Sequence, residues 1–438
     1  MDRDLGKRKN ASYPKNYPYP ILKILNPTHK PNKKMKKIII TAGLLVSMLF
    51  RSAAQEITEE EAYEKRKLKV DEINFVSSYY HQEGNNSAVT GGVGTEKLSD
   101  YANNFDLKMS KYDLKNRQHT FTLDFNIDYY TSASSDNIDW SYDQGAARSG
   151  ASASDVHIYP SISWSMKDPK SRVTKGLSYS FSTEYDYVSN GFTASWAKAS
   201  RDNNREFSIK GSAFLDKATI ILPTELRTNT GTVGKGGSQG TRPRNSYGLT
   251  FSLSQVINER LQVVLVADPS YQEGFLSTSF HRVYFTDNSE TIEKLPGNRL
   301  KLPIGIRANY FFGDNAVLRT FYRYYMDDWG MTAHTINLEG SYKITPFISV
   351  TPFYRFSSQK AVRYFAAKGQ HATAETYYTS DYDISGMNTT FIGSGFRYAP
   401  INGIFGMKHF ASAEMRYGHY TRTTGMVANI ISLHLKMK

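Results

Sequence analysis

Met426-Val-Ala-Asn-Ile-Ile-Ser-Leu-His-Leu-Lys-Met-Lys438 ends the chain. From Ile431 the alternation is strict. Ile431, Leu433, Leu435 and Met437 share one face, and Ser432, His434, Lys436 and Lys438 the other. Successive side chains of a strand point to opposite sides, so this segment reads as a strand with one apolar and one wet face. Such a strand can close a soluble sandwich or a membrane barrel, and the rest of the chain has to choose.

From Asp71 onward, alternating segments of about ten residues recur, the length a tilted strand needs to cross a bilayer. Residues 119–130 are the clearest: Phe121, Leu123, Phe125, Ile127 and Tyr129 oppose Thr120, Thr122, Asp124, Asn126 and Asp128. The same period runs through Val156 to Met166, Leu177 to Tyr185, Tyr247 to Leu253 and Leu300 to Ile306. Shorter sixth and seventh strands are expected near 192–198 and 207–215. Short connections (113–118, 167–172, 201–205, 257–260, 313–316, 345–346) alternate with long ones (83–100, 131–154, 217–244, 273–298, 358–385). Tyrosines gather at the strand ends that enter the long loops: Tyr79-Tyr80, Tyr129-Tyr130, Tyr185, Tyr187, Tyr324-Tyr325, Tyr417 and Tyr420. Amphipathic rings collect at a membrane–water boundary, so this reads as an outer aromatic girdle. The pattern predicts an all-β, transmembrane, antiparallel up-and-down barrel of about 16 strands, or 14 if two short segments are loop. The competing soluble sandwich would use shorter strands and has no reason to collect rings at one end.

Composition agrees. Charged residues are 22% of the 438, while 31 Tyr and 24 Phe stand out. Barrels are apolar on one strand face only and so carry no long apolar run. The absence of cysteine excludes disulfides, thiolate metal sites and a lipidated N-terminal cysteine. Most of the net charge of +13 sits in residues 1–54, where Lys and Arg face only Asp2 and Asp4. The remainder gives little support for nucleic-acid binding.

That basic start is an address. Met35-Lys36-Lys37 precedes an apolar run over 38–50 and then Ser52-Ala53-Ala54-Gln55. This is the order of a secretory signal, with cleavage expected between Ala54 and Gln55, and the run is too short to span a bilayer. Residues 1–34 read as a mis-assigned extension, the alternative being a disordered basic leader. Residues 55–70 hold helix formers, acidic then basic, and predict a short periplasmic helix or tail. The barrel then occupies 71–438, and the location implied is a bacterial outer membrane.

Several stretches together resemble the outer-membrane family known as domain of unknown function 3570. They are Asn86-Ser-Ala-Val-Thr-Gly-Gly92, Thr131-Ser-Ala-Ser-Ser-Asp-Asn-Ile-Asp139, Ser279-Phe-His-Arg-Val-Tyr-Phe285, Glu293-Lys-Leu-Pro296, Tyr322-Arg-Tyr-Tyr325 with Asp327-Asp-Trp-Gly330, and Ala333-His-Thr335. Gly297-Asn298 departs from the acidic and small pair that follows this proline in the family. The resemblance implies an exported barrel with no assigned reaction. Members are often encoded near a flavin transferase and a small lipoprotein, which points toward envelope redox or cofactor work.

Catalytic chemistry is hard to assemble. His81, His281, His334 and Asp327-Asp328 are the candidates, but no nucleophile motif accompanies them, and Asp327-Asp328-Trp329 reads as a solvated hairpin tip. His334 falls on the lipid-facing side near the girdle. Asn85-Asn86 and Asp136-Asn137-Asp139 offer oxygen ligands in no defined calcium spacing, and Lys235-Gly236-Gly237-Ser238 lacks a phosphate loop's context. The expectation is a non-enzyme without cofactor. The lumen says more. Strand parity sends Arg307, Arg319, Arg323, Glu339, Arg355, Arg397, Glu414 and Arg416 inward, six guanidinium groups against two carboxylates. Such groups are costly in lipid and should face water or partners. They predict either a ladder of Arg–Glu pairs bracing the barrel or an anion-favouring passage. The partners expected are outer-membrane lipid and a periplasmic or surface protein.

Overall fold

The computed structural model describes residues 67–131, 154–226 and 238–438. The leader, the signal with its Ala54–Gln55 cut, Asp136, Asn137, Asp139 and residues 235–237 lie outside them. The described residues form a closed 16-stranded antiparallel barrel.

The strands are β1 (Lys69–Glu83), β2 (Leu98–Tyr112), β3 (Gln118–Thr131) and β4 (Ser154–Ile158 and Ser161–Asp168). Next come β5 (Val173–Thr183), β6 (Tyr187–Ala199), β7 (Arg205–Ile221) and β8 (Ser238–Asn258). The second half holds β9 (Leu261–Ala267 and Ser270–Gly274), β10 (Asn298–Phe312), β11 (Ala316–Asp327) and β12 (Thr332–Thr345). It ends with β13 (Ile348–Gln359), β14 (Met387–Tyr398), β15 (Phe410–Arg422) and β16 (Val427–Met437). Each strand pairs with its sequence neighbour, and β16 closes the ring on β1 from Ile73↔Met437 to Glu83↔Val427. Closure leaves no free sheet edge, the condition for a sheet to sit in lipid.

β4 and β9 are each broken at a proline, Pro160 and Pro269, which has no N–H to give the ladder. The wall stays continuous because the proline carbonyls still accept, from Phe181 N–H at 3.0 Å and Leu249 N–H at 2.9 Å. Side-chain parity also survives both breaks: Ile162 and Tyr271 are exposed and keep the parity of Val156 and Ile158 and of Leu265 before them.

Along most of the ring one face of each strand is apolar and uncovered. Ile304, Ile336, Leu338, Ile392, Ile431 and Leu433 are all exposed. In a sandwich these side chains would meet each other; here they form an outward band, the surface that only an apolar solvent stabilises. The terminal strand contributes Ile431 and Leu433 to it, with Ser432 and His434 turned inward. His334 stands outside as expected, its Nδ1 2.8 Å from the Tyr322 hydroxyl and its ring against Tyr324.

Three boundaries differ from the sequence reading. β6 and β7 are longer than the short strands expected, and β7 and β8 absorb 217–221 and 238–244, which the sequence alone places in a long loop. At the other end, 399–409 is a longer connection containing a 3₁₀ turn (Ile404–Gly406). Among the described residues 184–186, 328–331 and 423–426 are short links at the long-loop end, so loop length does not alternate strictly. Polar side chains at these ends resemble loop residues one at a time; cross-strand hydrogen bonds decide which belong to strands.

Candidate functional site: the lumen and its outer cap

Arg307, Arg319, Arg323, Arg355, Arg397, Glu339, Glu414 and Arg416 all occupy the inward parity of β10 to β15, as the register Arg319↔Glu339, Arg355↔Asn337 and Arg397↔Glu414 requires. They divide into two sets. Glu339 is clamped by Arg319 at 3.1 Å and by Arg416 at 2.8 Å, and Arg416 also lies 3.6 Å from Glu414. Arg416 reaches Glu339 from three strands away, passing over the Phe353 ring. Glycine makes the room: a Cβ on Gly395 would stand 3.1 Å from the Arg416 side chain, and one on Gly418 would lie 2.5 Å from the Phe391 ring. Between these groups lies a lumen-side cavity of about 260 Å³, lined by Glu339, Phe353, Arg355, Phe391 and Arg416.

The second set is Arg307, Arg323, Arg355 and Arg397. Among the described residues none of them has a carboxylate within ion-pair distance, and all four are exposed to the barrel interior. Arg307 and Arg355 rest over the rings of Phe321 and Phe391 at 5.4 and 5.6 Å, a cation–π support that leaves the charge free to solvent.

The opposite wall carries the other sign. Asp106 and Asp124 are directly opposed on β2 and β3, held by Asn74 Nδ2 at 2.9 Å and by the Ser161 hydroxyl at 3.0 Å. Above them Asp128 accepts from the Tyr159 hydroxyl at 3.1 Å. Like charges facing each other across a strand pair destabilise a sheet, so this placement works against the fold that carries it. Asp106 and Asp124 each stand six residues from the short-turn end of their strands, at Tyr112 and Gln118. Arg307 stands five from Phe312, and Arg323 and Arg355 stand seven from Ala316 and Ile348. The two groups therefore share a level. β2 and β3 are eight strands from β10 and β11 in a ring of 16, which sets them across the lumen from one another. The sequence reading had the basic wall alone. Its signal for the acidic wall was already present in the alternation of 119–130, which turns Asp124 and Asp128 inward.

The long-loop end carries a folded cap. A hairpin of Arg282–Tyr284 with Glu290–Ile292 is its centre. Arg282 donates to the Val89 carbonyl at 2.7 Å and pairs with Glu225, and the Ser279 hydroxyl accepts from Ile221 N–H at 3.0 Å. Loop 84–97 belongs to β1–β2 and loop 275–297 to β9–β10, on opposite sides of the ring, so their contact crosses the mouth. Loop 360–386 joins through Thr286 N–H to His371 O and through Lys294 with Tyr378. A small core of Leu276, Trp329, Met331 and Val362 joins loops 275–297 and 360–386 to the link 328–331.

Asp327-Asp328-Trp329 is not a solvated tip. The Asp327 side chain is fully buried, accepting from Arg299, from the Tyr325 hydroxyl at 2.8 Å and from Met331 N–H at 2.9 Å. Trp329 is buried, with its indole N–H on the Asn298 carbonyl at 2.8 Å and the Arg299 guanidinium 4.3 Å from its ring. Only Asp328 is exposed. His81 lies on the outside of β1, bonded to Ser99 and Glu83, away from His281 in the cap. The residues considered for hydrolysis do not converge.

A charge-divided lumen under a folded cap, inside a closed ring with an apolar exterior, defines an outer-membrane-type β-barrel. The chain belongs to the family described as "Protein of unknown function (DUF3570)", whose model matches residues 49–428. No curated protein matches the chain. Solved structures with a similar fold include a mutant of the ferric enterobactin receptor PfeA of Pseudomonas aeruginosa, at 11% identity and a TM-score of 0.42. That match covers 80% of this chain and 53% of the receptor, so the chain spans about half the receptor's length. A BenF-like porin of Pseudomonas fluorescens Pf-5 is 9% identical with a TM-score of 0.39, over 84% of this chain and 98% of the porin. OpdQ of P. aeruginosa is 8% identical with a TM-score of 0.38, over 85% and 98%.

Proposed function

We propose that the protein lies in the outer membrane as a pore whose passage runs between a basic and an acidic wall, with its cap at the cell surface and no catalytic role. The observation that carries this reading is the set of unpaired, solvent-exposed arginines, Arg307, Arg323 and Arg355, level with Asp106 and Asp124. Charge rings at a constriction set ion preference, and unpaired groups act on solutes more strongly than a neutralised ladder does. In planar bilayers the unmodified protein should conduct, and Arg323→Ala with Arg355→Ala should lower its anion preference. No conductance from the unmodified protein overturns the pore reading.

A second reading has its own support. Loops from opposite sides of the ring meet over the mouth, which favours a binding or assembly barrel whose surface holds a protein or glycan, in the envelope redox work that the family's gene neighbours point to. Loops 217–244 and 273–298 are its candidates, the first now reduced by strand to 222–237. Liposome swelling separates the two: solute entry supports the pore, and tight liposomes support the binding barrel.

A further inference from the structure

The loop hairpin aligns two side chains that the chain separates. His281 precedes its first strand and Glu293 follows its second, and Glu293 N–H donates to the His281 carbonyl at 2.8 Å. Both side chains therefore leave the same end of the hairpin. The neighbouring loop brings a third, Asp381, which caps the 3₁₀ turn Tyr382–Ile384. His281 Nδ1 lies 3.8 Å from Glu293 Oε1 and 3.9 Å from Asp381 Oδ2, and all three ligand atoms fall within 4.8 Å of one another.

The carboxylates are held from outside the triangle, while the histidine nitrogen that faces them is not. Glu293 is buried, with Oε2 accepting from Thr278 N–H at 2.7 Å and Oε1 from the Thr379 hydroxyl at 2.5 Å. Asp381 spends Oδ1 on Asp383 N–H at 2.8 Å, which leaves Oδ2 turned to His281. His281 Nδ1 is inaccessible to solvent and has no hydrogen-bond partner. A histidinium bonded to either carboxylate would sit near 2.8 Å, so 3.8 and 3.9 Å are too long for that account. Two ligands of one metal at about 2.0–2.2 Å stand roughly 3.0–3.5 Å apart, so each of the two histidine–carboxylate distances need shorten by only a few tenths of an ångström. Glu293 also forms part of the wall of a cap cavity of about 630 Å³ that touches Lys294 and Tyr378.

We infer that His281, Glu293 and Asp381 form a binding site for a first-row divalent transition-metal ion, zinc being the best fit, which fastens the β9–β10 loop to the β13–β14 loop. One imidazole and two carboxylates with an open fourth position suit zinc, whereas calcium takes oxygen ligands throughout. The hydrogen bonds from Thr278 and Thr379 to Glu293 hold its carboxylate in place, as outer partners of ligands commonly do. The site stands whether or not the barrel conducts.

The test uses the whole barrel in detergent or vesicles, freed of metal by a chelator and without a histidine tag. Zinc should bind at one equivalent by calorimetry, cobalt(II) should give the visible bands of a low-coordinate nitrogen–oxygen site, and X-ray absorption of the zinc form should show one imidazole among oxygen ligands. Glu293→Gln with Asp381→Asn should weaken zinc binding by more than about a hundredfold while the heat-modifiable gel shift of the folded barrel is kept. Zinc should also slow protease cleavage within 360–386 in the unmodified protein only. Absence of stoichiometric zinc uptake, an absorption spectrum without imidazole, or equal affinity in the double variant each overturns the assignment. The absorption spectrum decides the matter even if the variant fails to fold.

Discussion

Asp186 shows how a single carboxyl in a tight link can set a pH dependence. It lies between β5 and β6, where burial, with Glu184 and Asp155 close by, pushes its carboxyl up to about 6. An acid whose folded pKa exceeds its unfolded value near 4 binds its proton more tightly in the native state. Stability at this position is therefore highest below about pH 4, falls as pH rises to about 6, and stays reduced above that. Partial exposure limits the effect to the order of 1–2 kcal/mol. Asp186→Asn should raise the urea midpoint of the vesicle-bound barrel at pH 8 and leave it nearly unchanged at pH 4. An equal shift at both pH values would mean that the gain comes from packing or a new hydrogen bond.

At the scale of elements, the wall and the cap are held by different forces. A barrel strand is fixed by its two neighbours, while the cap rests on a few buried side chains, chiefly Trp329. Its removal deletes the indole bond to Asn298, the Arg299 contact and most of the small core. Trp329→Ala should cost the cap about 3–5 kcal/mol, in line with emptying a buried aromatic site. Hydrogen exchange should rise in 275–297 and 360–386 and stay unchanged in β11 to β13. This difference also explains what could be read from sequence. Strands were legible because alternation such as Phe121 to Tyr129 is a local signal, repeated along the wall. The cap was not: Trp329 beside two aspartates in a short link looks solvated until loops far apart in the chain arrive to bury it. His281, Glu293 and Asp381 were hidden for the same reason, since no local spacing joins residues from two loops. The broken strands fall between these cases, because a proline marks the break but not the continuity of parity across it.

The whole molecule adds what neither scale contains, the position of each wall relative to the other. Parity alone turned six arginines inward, but only the closed ring places β2–β3 across from β10–β11 and so sets Asp106 and Asp124 against Arg307 and Arg323. Two walls of opposite sign make a field across the lumen rather than along it. Each wall then acts on the ions nearest to it. At 1 M salt the screening length is about 3 Å, against about 10 Å at 0.1 M, so each wall's reach into the passage shrinks with salt. If the passage conducts, Asp106→Asn with Asp124→Asn should move the reversal potential toward anions, and Arg307→Ala with Arg323→Ala should move it toward cations. Both shifts should be large at 0.1 M and small at 1 M. The quadruple variant should return near the unmodified value, because the changes on the two walls offset one another and the sites are too far apart to couple strongly. A quadruple variant that keeps the arginine phenotype would mean that the acidic wall does not line the conducting path, and a shift that persists at 1 M would place the charges in a narrower constriction than this ring provides.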